Sequence, residues 1–224
     1  MISPSPGVPF DFEEAYRRYL DGLLNNNRHA CRLAFEQWMA TGIELRYLYE
    51  DLVRRSLYAV GDLWECGRIS VATEHMATAI NESLLNLTYP QLFSQPRNGK
   101  TAVVTCLTNE FHQIGAKMVA DMFELNGWRG YFLGANTPLI DVKQLIADKR
   151  PDVIALSAAV AFSMDTLARA AAELQSTFPA IPILVGGQAL HWGGLERMGH
   201  LPGVRCLHSL SELEVWMKSG ETHA

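Results

Sequence analysis

Apolar side chains recur at three- and four-residue spacing through most of the first 93 positions of the chain, and almost nowhere in that stretch do they alternate with polar ones. The period is carried by FDFEEAYRRYLDGLL, ACRLAFEQWMA, ELRYLYEDLVRRSLYAVGDLW and VATEHMATAINESLLNLTYPQLF. Breaks fall at Asn25, Asn26 and Asn27, at Thr41 and Gly42, and at Gly67, with Ser70 placed to cap the last helix. Four helices joined by short turns predict a small antiparallel bundle over residues 10–93. Residues 1–9, with Pro4, Pro6 and Pro9, read as a flexible arm, and the polar segment SQPRNGK at 94–100 as a linker.

Beyond residue 100 the pattern changes. Short apolar runs (TAVVTCL, RGYFLG, DVIALSA, IPILVGG and VRCLH) alternate with amphipathic stretches starting near Gln113, Leu139 and Met164, with a helix expected behind each of the last two runs. Continuous β-rich runs separated by helices predict a parallel sheet covered on both faces. The expected fold is therefore α/β plus all-α. A four-helix cap at 10–93 is followed at 101–224 by a flavodoxin-like, doubly wound, five-stranded parallel sheet. In such sheets ligands sit outside the carboxyl ends of the strands, which directs attention to residues 108–112, 157–162 and 186–188.

Composition narrows the classes of function. The formal net charge is −5 and no basic patch is visible, so direct nucleic-acid binding is not expected. The chain has no stretch approaching eighteen uninterrupted apolar residues and no basic segment ahead of an apolar run at its start. Neither a membrane span nor a signal peptide is expected, and the protein is placed in the cytoplasm. Cys31, Cys66, Cys106 and Cys206 are scattered without a CxxC pair, which suits buried free thiols better than a metal site.

The loop after the first predicted strand reads Asn109-Glu110-Phe111-His112-Gln113-Ile114-Gly115. A phosphate-binding loop would offer Ser, Thr or Gly; this one offers a carboxylate and an imidazole two positions apart. A histidine binds metal through one ring nitrogen, and a carboxylate on the other fixes its tautomer and basicity. Gly115 leaves room for close approach at the helix start. Taken alone, His112 is as readily a solvated histidine at a helix N-terminus. The third strand ends in small residues from Ser157 to Ala161, and the fourth in Gly186 and Gly187. Gly-Gly by itself is more simply a tight turn. Side by side, the three loops suggest a deep, narrow cleft beneath a metal.

Residues 101–218 resemble the cobalamin-binding domain of methionine synthase, the mutases and the light-sensing repressors. The matches are Glu110, His112 and Gly115, then Ser157, then Gly186 and Gly187. The exits at 132–139, 156–158 and 185–188 also look like those domains. The resemblance implies that His112 is the lower axial ligand of cobalt. It also implies that Ser157 and the Gly186-Gly187 pair make room for the displaced nucleotide tail. Glu110 stands where most members have Asp, as in the light-sensing branch.

The bundle carries a second resemblance. In the segment 61–75, Trp64 and, ten residues later, Glu74 and His75 are similar to the light-sensing repressors, where such residues line the pocket for a 5′-deoxyadenosyl group. Without the family, Trp64 reads as core and Glu74-His75 as ordinary helix positions. Glu65 replaces the histidine that often follows the Trp and captures cobalt after photolysis, so a bis-histidine light state through that position is not expected. The implied cofactor is cobalamin, adenosylcobalamin in particular, with a bilin as a candidate second chromophore beside Cys66 and the aromatic-rich cap (Trp38, Tyr47, Tyr49, Tyr58 and Trp64). The implied role is a photoreceptor or sensor, not an enzyme, with output through homo-oligomerisation or a separate partner protein because no DNA reader precedes the cap. The competing reading is a corrinoid methyl carrier of a methyltransferase system. The Glu-Phe-His loop argues against a flavin-binding module.

Overall fold

The computed structural model describes residues 10–192, 198 and 201–219; the expected arm at 1–9 lies outside them. The chain divides into two compact units, Met1–Pro90 and Gln91–Ala224.

The first unit is all helix. Helices α1 (Phe12–Leu24) and α2 (Arg28–Ala40) follow the expected breaks. The side chains of Asp11 and Asn27 cap them by accepting the backbone N–H groups of Glu14 and Ala30. A third stretch begins at α3 (Leu45–Tyr47), passes through a π-helical segment, Leu48–Arg54, and continues as α4 (Arg55–Glu65). The widened segment holds Glu50 buried between Arg46 and Arg54, at 3.7 and 3.5 Å. Helix α5 (Val71–Leu85), capped by Ser70, gives way to a 3₁₀ turn and a short α6 (Tyr89–Leu92). The fourth predicted helix is therefore interrupted. At its break the Tyr49 hydroxyl meets Thr88 Oγ1 at 2.8 Å. Tyr19, Phe35, Trp38, Tyr49 and Leu52 fill the interior, where the Tyr19 hydroxyl donates to buried Asn81 Oδ1 at 2.9 Å.

The second unit is a five-stranded, all-parallel sheet in the order β2-β1-β3-β4-β5. Its strands are β1 (Thr101–Thr105), β2 (Arg129–Phe132), β3 (Val153–Ser157), β4 (Ile183–Gly186) and β5 (Val204–Cys206). The order matches the expected doubly wound, flavodoxin-like topology. Strands β1 and β3 are buried almost throughout, while β2 and β5 form the partly exposed edges. The intervening helices are α7 (Ile114–Leu125), α8 (Leu139–Lys149) and α9 (Met164–Thr177), with α10 (Leu210–Ser219) after β5. Behind β4 the described chain forms a 3₁₀ turn, Gln188–Trp192; the rest of the helix expected there falls largely on residues outside those described.

Residues 97–100, read from sequence as linker, are fastened to this unit. Arg97 bonds Glu124 and the Trp128 carbonyl. The Asn98 N–H donates to the Gly127 carbonyl at 2.9 Å, and the Lys100 ammonium lies over the Trp128 ring. The polar composition of the segment serves hydrogen bonds as well as solvation.

The cysteine expectation is corrected in part. Cys31 and Cys106 are buried, Cys206 is half-buried, and Cys66 is exposed at the end of α4. It sits at the C-cap of a helix that ends in a turn, where no neighbouring layer covers it. Burial pushes the Cys31 thiol to about 11 and that of Cys106 to about 12. Because only the thiolate alkylates, iodoacetamide at neutral pH is expected to label Cys66 first, with Cys31 and Cys106 protected until denaturant is added. Peptide mass mapping under native conditions checks this. Among the described residues, no helix is long and apolar enough to cross a membrane.

Candidate cofactor site

At the carboxyl edge of the sheet the chain leaves β1 and crosses its neighbours. Asn109 takes a left-handed conformation (φ 68°), and Glu110 then turns inward until only 2% of its surface remains exposed. A buried carboxylate is costly unless its oxygens are bonded. Here Oε1 accepts from the His112 backbone N–H at 3.0 Å and lies 2.6 Å from His112 Nδ1, while Oε2 accepts from the Ala159 backbone N–H at 3.0 Å. Burial alone would raise the Glu110 carboxyl, but the bonds from His112 and Ala159 outweigh it and hold the group below its ordinary value. The carboxylate is thus ionised at neutral pH, and the network is lost only as pH falls through that depressed value.

This charge state fixes the imidazole. An ionised carboxylate only accepts, so Nδ1 carries a proton, and in the neutral ring Nε2 is then the basic nitrogen. The His112 side chain is 53% exposed. A buried carboxylate bonded to a half-exposed imidazole is an arrangement that could hold a metal. Among the described residues no cluster of three or more His, Cys, Asp or Glu side chains forms a metal site of the protein's own.

The other residues expected from sequence gather around the same edge. A Cβ at Gly115 would stand 3.6 Å from Ser157 Oγ, so these two positions face one another with room between them. A Cβ at Gly186 would meet the Leu207 carbonyl only at 3.4 Å. Gly187 has another reason to be glycine. Its φ is +110°, and a Cβ there would lie 2.1 Å from the Ala158 carbonyl oxygen. The turn after β4 closes directly on the exit of β3, where the Ala189 N–H donates to that carbonyl at 3.2 Å. The tight-turn reading therefore describes Gly187, while a side chain at Gly115 or Gly186 would meet its neighbours without a clash.

In the bundle, Trp64 is 46% exposed near the end of α4, not a core side chain. Glu74 and His75 lie in the first turn of α5. There His75 Nδ1 is 2.6 Å from Glu74 Oε2, and Thr78 Oγ1 donates to Glu74 Oε1 at 2.8 Å. Trp64 and the pair thus flank one turn of the bundle, and Val71 and Met76 beside them are also exposed. Of the aromatic residues considered beside a bilin, Trp38 and Tyr49 are packed inside the bundle, whereas Tyr47 and Trp64 are exposed.

Sequence reasoning missed two supports of the His112 loop. One is the Ala159 N–H, a backbone group without any sequence signature. The other is the exit of β2, where Asn136 bonds both Asn109 and Glu110.

A half-exposed histidine oriented by a buried carboxylate thus stands at the carboxyl edge of a 2-1-3-4-5 sheet, in a chain whose first unit is a helical bundle. The chain belongs to the B12 binding domain family: one family model of that description matches residues 100–201 and a second matches residues 15–88. It is similar to the HTH-type transcriptional repressor CarA of Myxococcus xanthus, 31% identical over 120 residues, covering 54% of this chain and 41% of that one. With the HTH-type transcriptional repressor CarH of the same organism it shares 27% identity over 154 residues, 67% of this chain and 50% of that protein. The chain thus spans half or less of the length of either repressor. In fold it matches the Methanosarcina barkeri monomethylamine corrinoid protein, with a TM-score of 0.79 at 17% identity, over 93% of this chain and all of that one. Cobalamin is accordingly the cofactor class.

Proposed function

We propose that this chain is a cobalamin-dependent photoreceptor module that holds adenosylcobalamin with its own nucleotide base displaced and with His112 Nε2 as the lower ligand of cobalt. The observation that carries the reading is the buried Glu110 carboxyl, 2.6 Å from His112 Nδ1 and held by the Ala159 N–H, which sets the direction of a half-exposed imidazole. A bound alkylcobalamin supplies a cobalt–carbon bond that visible light breaks. Toward that group, Glu110 orients His112 and keeps its Nε2 basic, while Gly115, Ser157 and Gly186 leave space for the nucleotide tail. The family resemblance assigns Trp64, Glu74 and His75 to the upper ligand. An indole shields a reactive bond from water, and the carboxylate–imidazole pair is suited to hold ribose hydroxyls. Likeness to two repressors favours a sensor whose output passes to a partner protein or through self-association.

Protein loaded with adenosylcobalamin in the dark is expected to change its absorbance spectrum irreversibly under green light, and its elution volume on size exclusion with it. Trp64→Ala should quicken loss of the alkyl group and weaken adenosylcobalamin relative to methylcobalamin. Equal handling of both cofactors by wild type, with methyl transfer to a thiol acceptor and no response to light, would replace this reading with that of a corrinoid methyl carrier. An added long-wavelength band after co-expression with a bilin source would identify a second chromophore.

A further inference from the structure

Beyond its strand ends, the chain leaving β2 continues alongside the chain leaving β1. The Leu133 N–H donates to the Val104 carbonyl, the Cys106 N–H to the Gly134 carbonyl and the Thr137 N–H to the Cys106 carbonyl, at 2.9–3.0 Å. Within this extension Asn136 makes two bonds in opposite senses. Its backbone N–H donates to the Glu110 carbonyl at 2.9 Å, and its side-chain Oδ1 accepts from the Asn109 N–H, also at 2.9 Å. Both asparagines are left-handed, Asn109 at φ 68° and Asn136 at φ 53°. Asparagine tolerates that region far better than most side-chain-bearing residues.

The consequence falls on Glu110. Its carboxylate is shared between His112 and Ala159, so the direction of the imidazole depends on where the Glu110 backbone is held. That backbone follows directly on a left-handed residue, which on its own would sample other conformations. Asn136 clamps both sides of the hinge: the N–H entering it and the carbonyl leaving it.

We infer that Asn136 is a positioning residue for the cobalt ligand. By clipping Asn109 and Glu110 to the exit of β2, it sets the angle at which His112 presents Nε2, without touching the cofactor. The inference rests on the reading of His112 as the lower ligand. It differs from a merely structural role because both asparagines are exposed and lie outside the packed interior, so the unfolding midpoint should move little when the clip is cut.

Two substitutions separate the effects. Asn136→Gly keeps the left-handed backbone and its N–H but removes the Oδ1 acceptor; Asn136→Asp keeps an acceptor oxygen in the same place. In the cofactor-free protein, exchange of the Asn109 amide, followed by NMR, should be about tenfold faster in Asn136→Gly and near wild type in Asn136→Asp. With methylcobalamin bound in the dark, Asn136→Gly should show about a tenfold smaller ratio of red, nitrogen-ligated to yellow, unligated cofactor, the low end of losses seen when an outer support of a ligand is cut. Asn136→Asp should restore the red form. Wild-type exchange and colour in Asn136→Gly, or an equal defect in both variants, would overturn the inference. A wild-type spectrum identical with that of His112→Ala would instead remove the ligand assignment, and the inference with it.

Discussion

His112→Ala is expected to bind methylcobalamin as a yellow, unligated form where wild type binds it red, with at least tenfold weaker retention of the cofactor and an unchanged circular dichroism spectrum. The fold should survive because the side chain is half exposed. The effect should be large because the loop offers one imidazole at this place. Truncation leaves the Glu110 carboxylate with two of its three described bonds, those from the backbone N–H groups of His112 and Ala159, so the loop keeps most of its shape. Glu110→Ala takes the opposite path. It removes the acceptor of the Ala159 N–H and of both His112 N–H groups, and it should lower both stability and cofactor retention, the latter about ten- to a hundredfold.

Gly187→Ala is expected to have the largest effect on stability of any single methyl added to the sheet unit. The new Cβ would sit 2.1 Å from the Ala158 carbonyl oxygen and 3.0 Å from the Ala158 nitrogen, at a φ of +110° that alanine rarely adopts. Backbone strain of about 1–3 kcal/mol and overpacking of about 1–3 kcal/mol act together. Against a domain stability of roughly 5–15 kcal/mol, the variant should unfold at markedly lower urea or fail to accumulate. Gly115→Ala provides the contrast. Its Cβ would make only ordinary contact with Ser157 Oγ, so stability should hold while cofactor affinity falls. If Gly187→Ala unfolded at wild-type urea concentrations, the close packing of the β4 turn on the β3 exit would be wrong.

Much of this architecture is legible in the amino-acid sequence. The switch from helical period to short apolar runs near residue 100 marks the change from bundle to sheet, and the buried centre strands follow from TAVVTCL and DVIALSA because both faces of a parallel sheet are covered. Glu110 and His112 stand out because a carboxylate and an imidazole two apart at a strand exit are chemically conspicuous. The supports around them are not legible. Asn109 and Asn136 are 27 positions apart, and the Ala159 N–H belongs to a residue type with no polar side chain to notice. The π-helical turn around Glu50 and the exposure of Trp64 and Cys66 are hidden for a related reason. Periodicity reports which face of a helix is apolar, and says little about where a neighbour ends and leaves that face uncovered.

The central claim is that the nitrogen below cobalt comes from the protein and not from the cofactor's own base. Electron paramagnetic resonance of the reduced, cobalt(II) form tests it directly, because the axial nitrogen splits each cobalt line according to its nuclear spin. In protein labelled with ¹⁵N-histidine and loaded with unlabelled cofactor, the account predicts that the triplet splitting given by ¹⁴N becomes a doublet, and that this doublet disappears in His112→Ala. A triplet that persists in the labelled protein would mean that the cofactor's own base occupies the position, and would contradict the account.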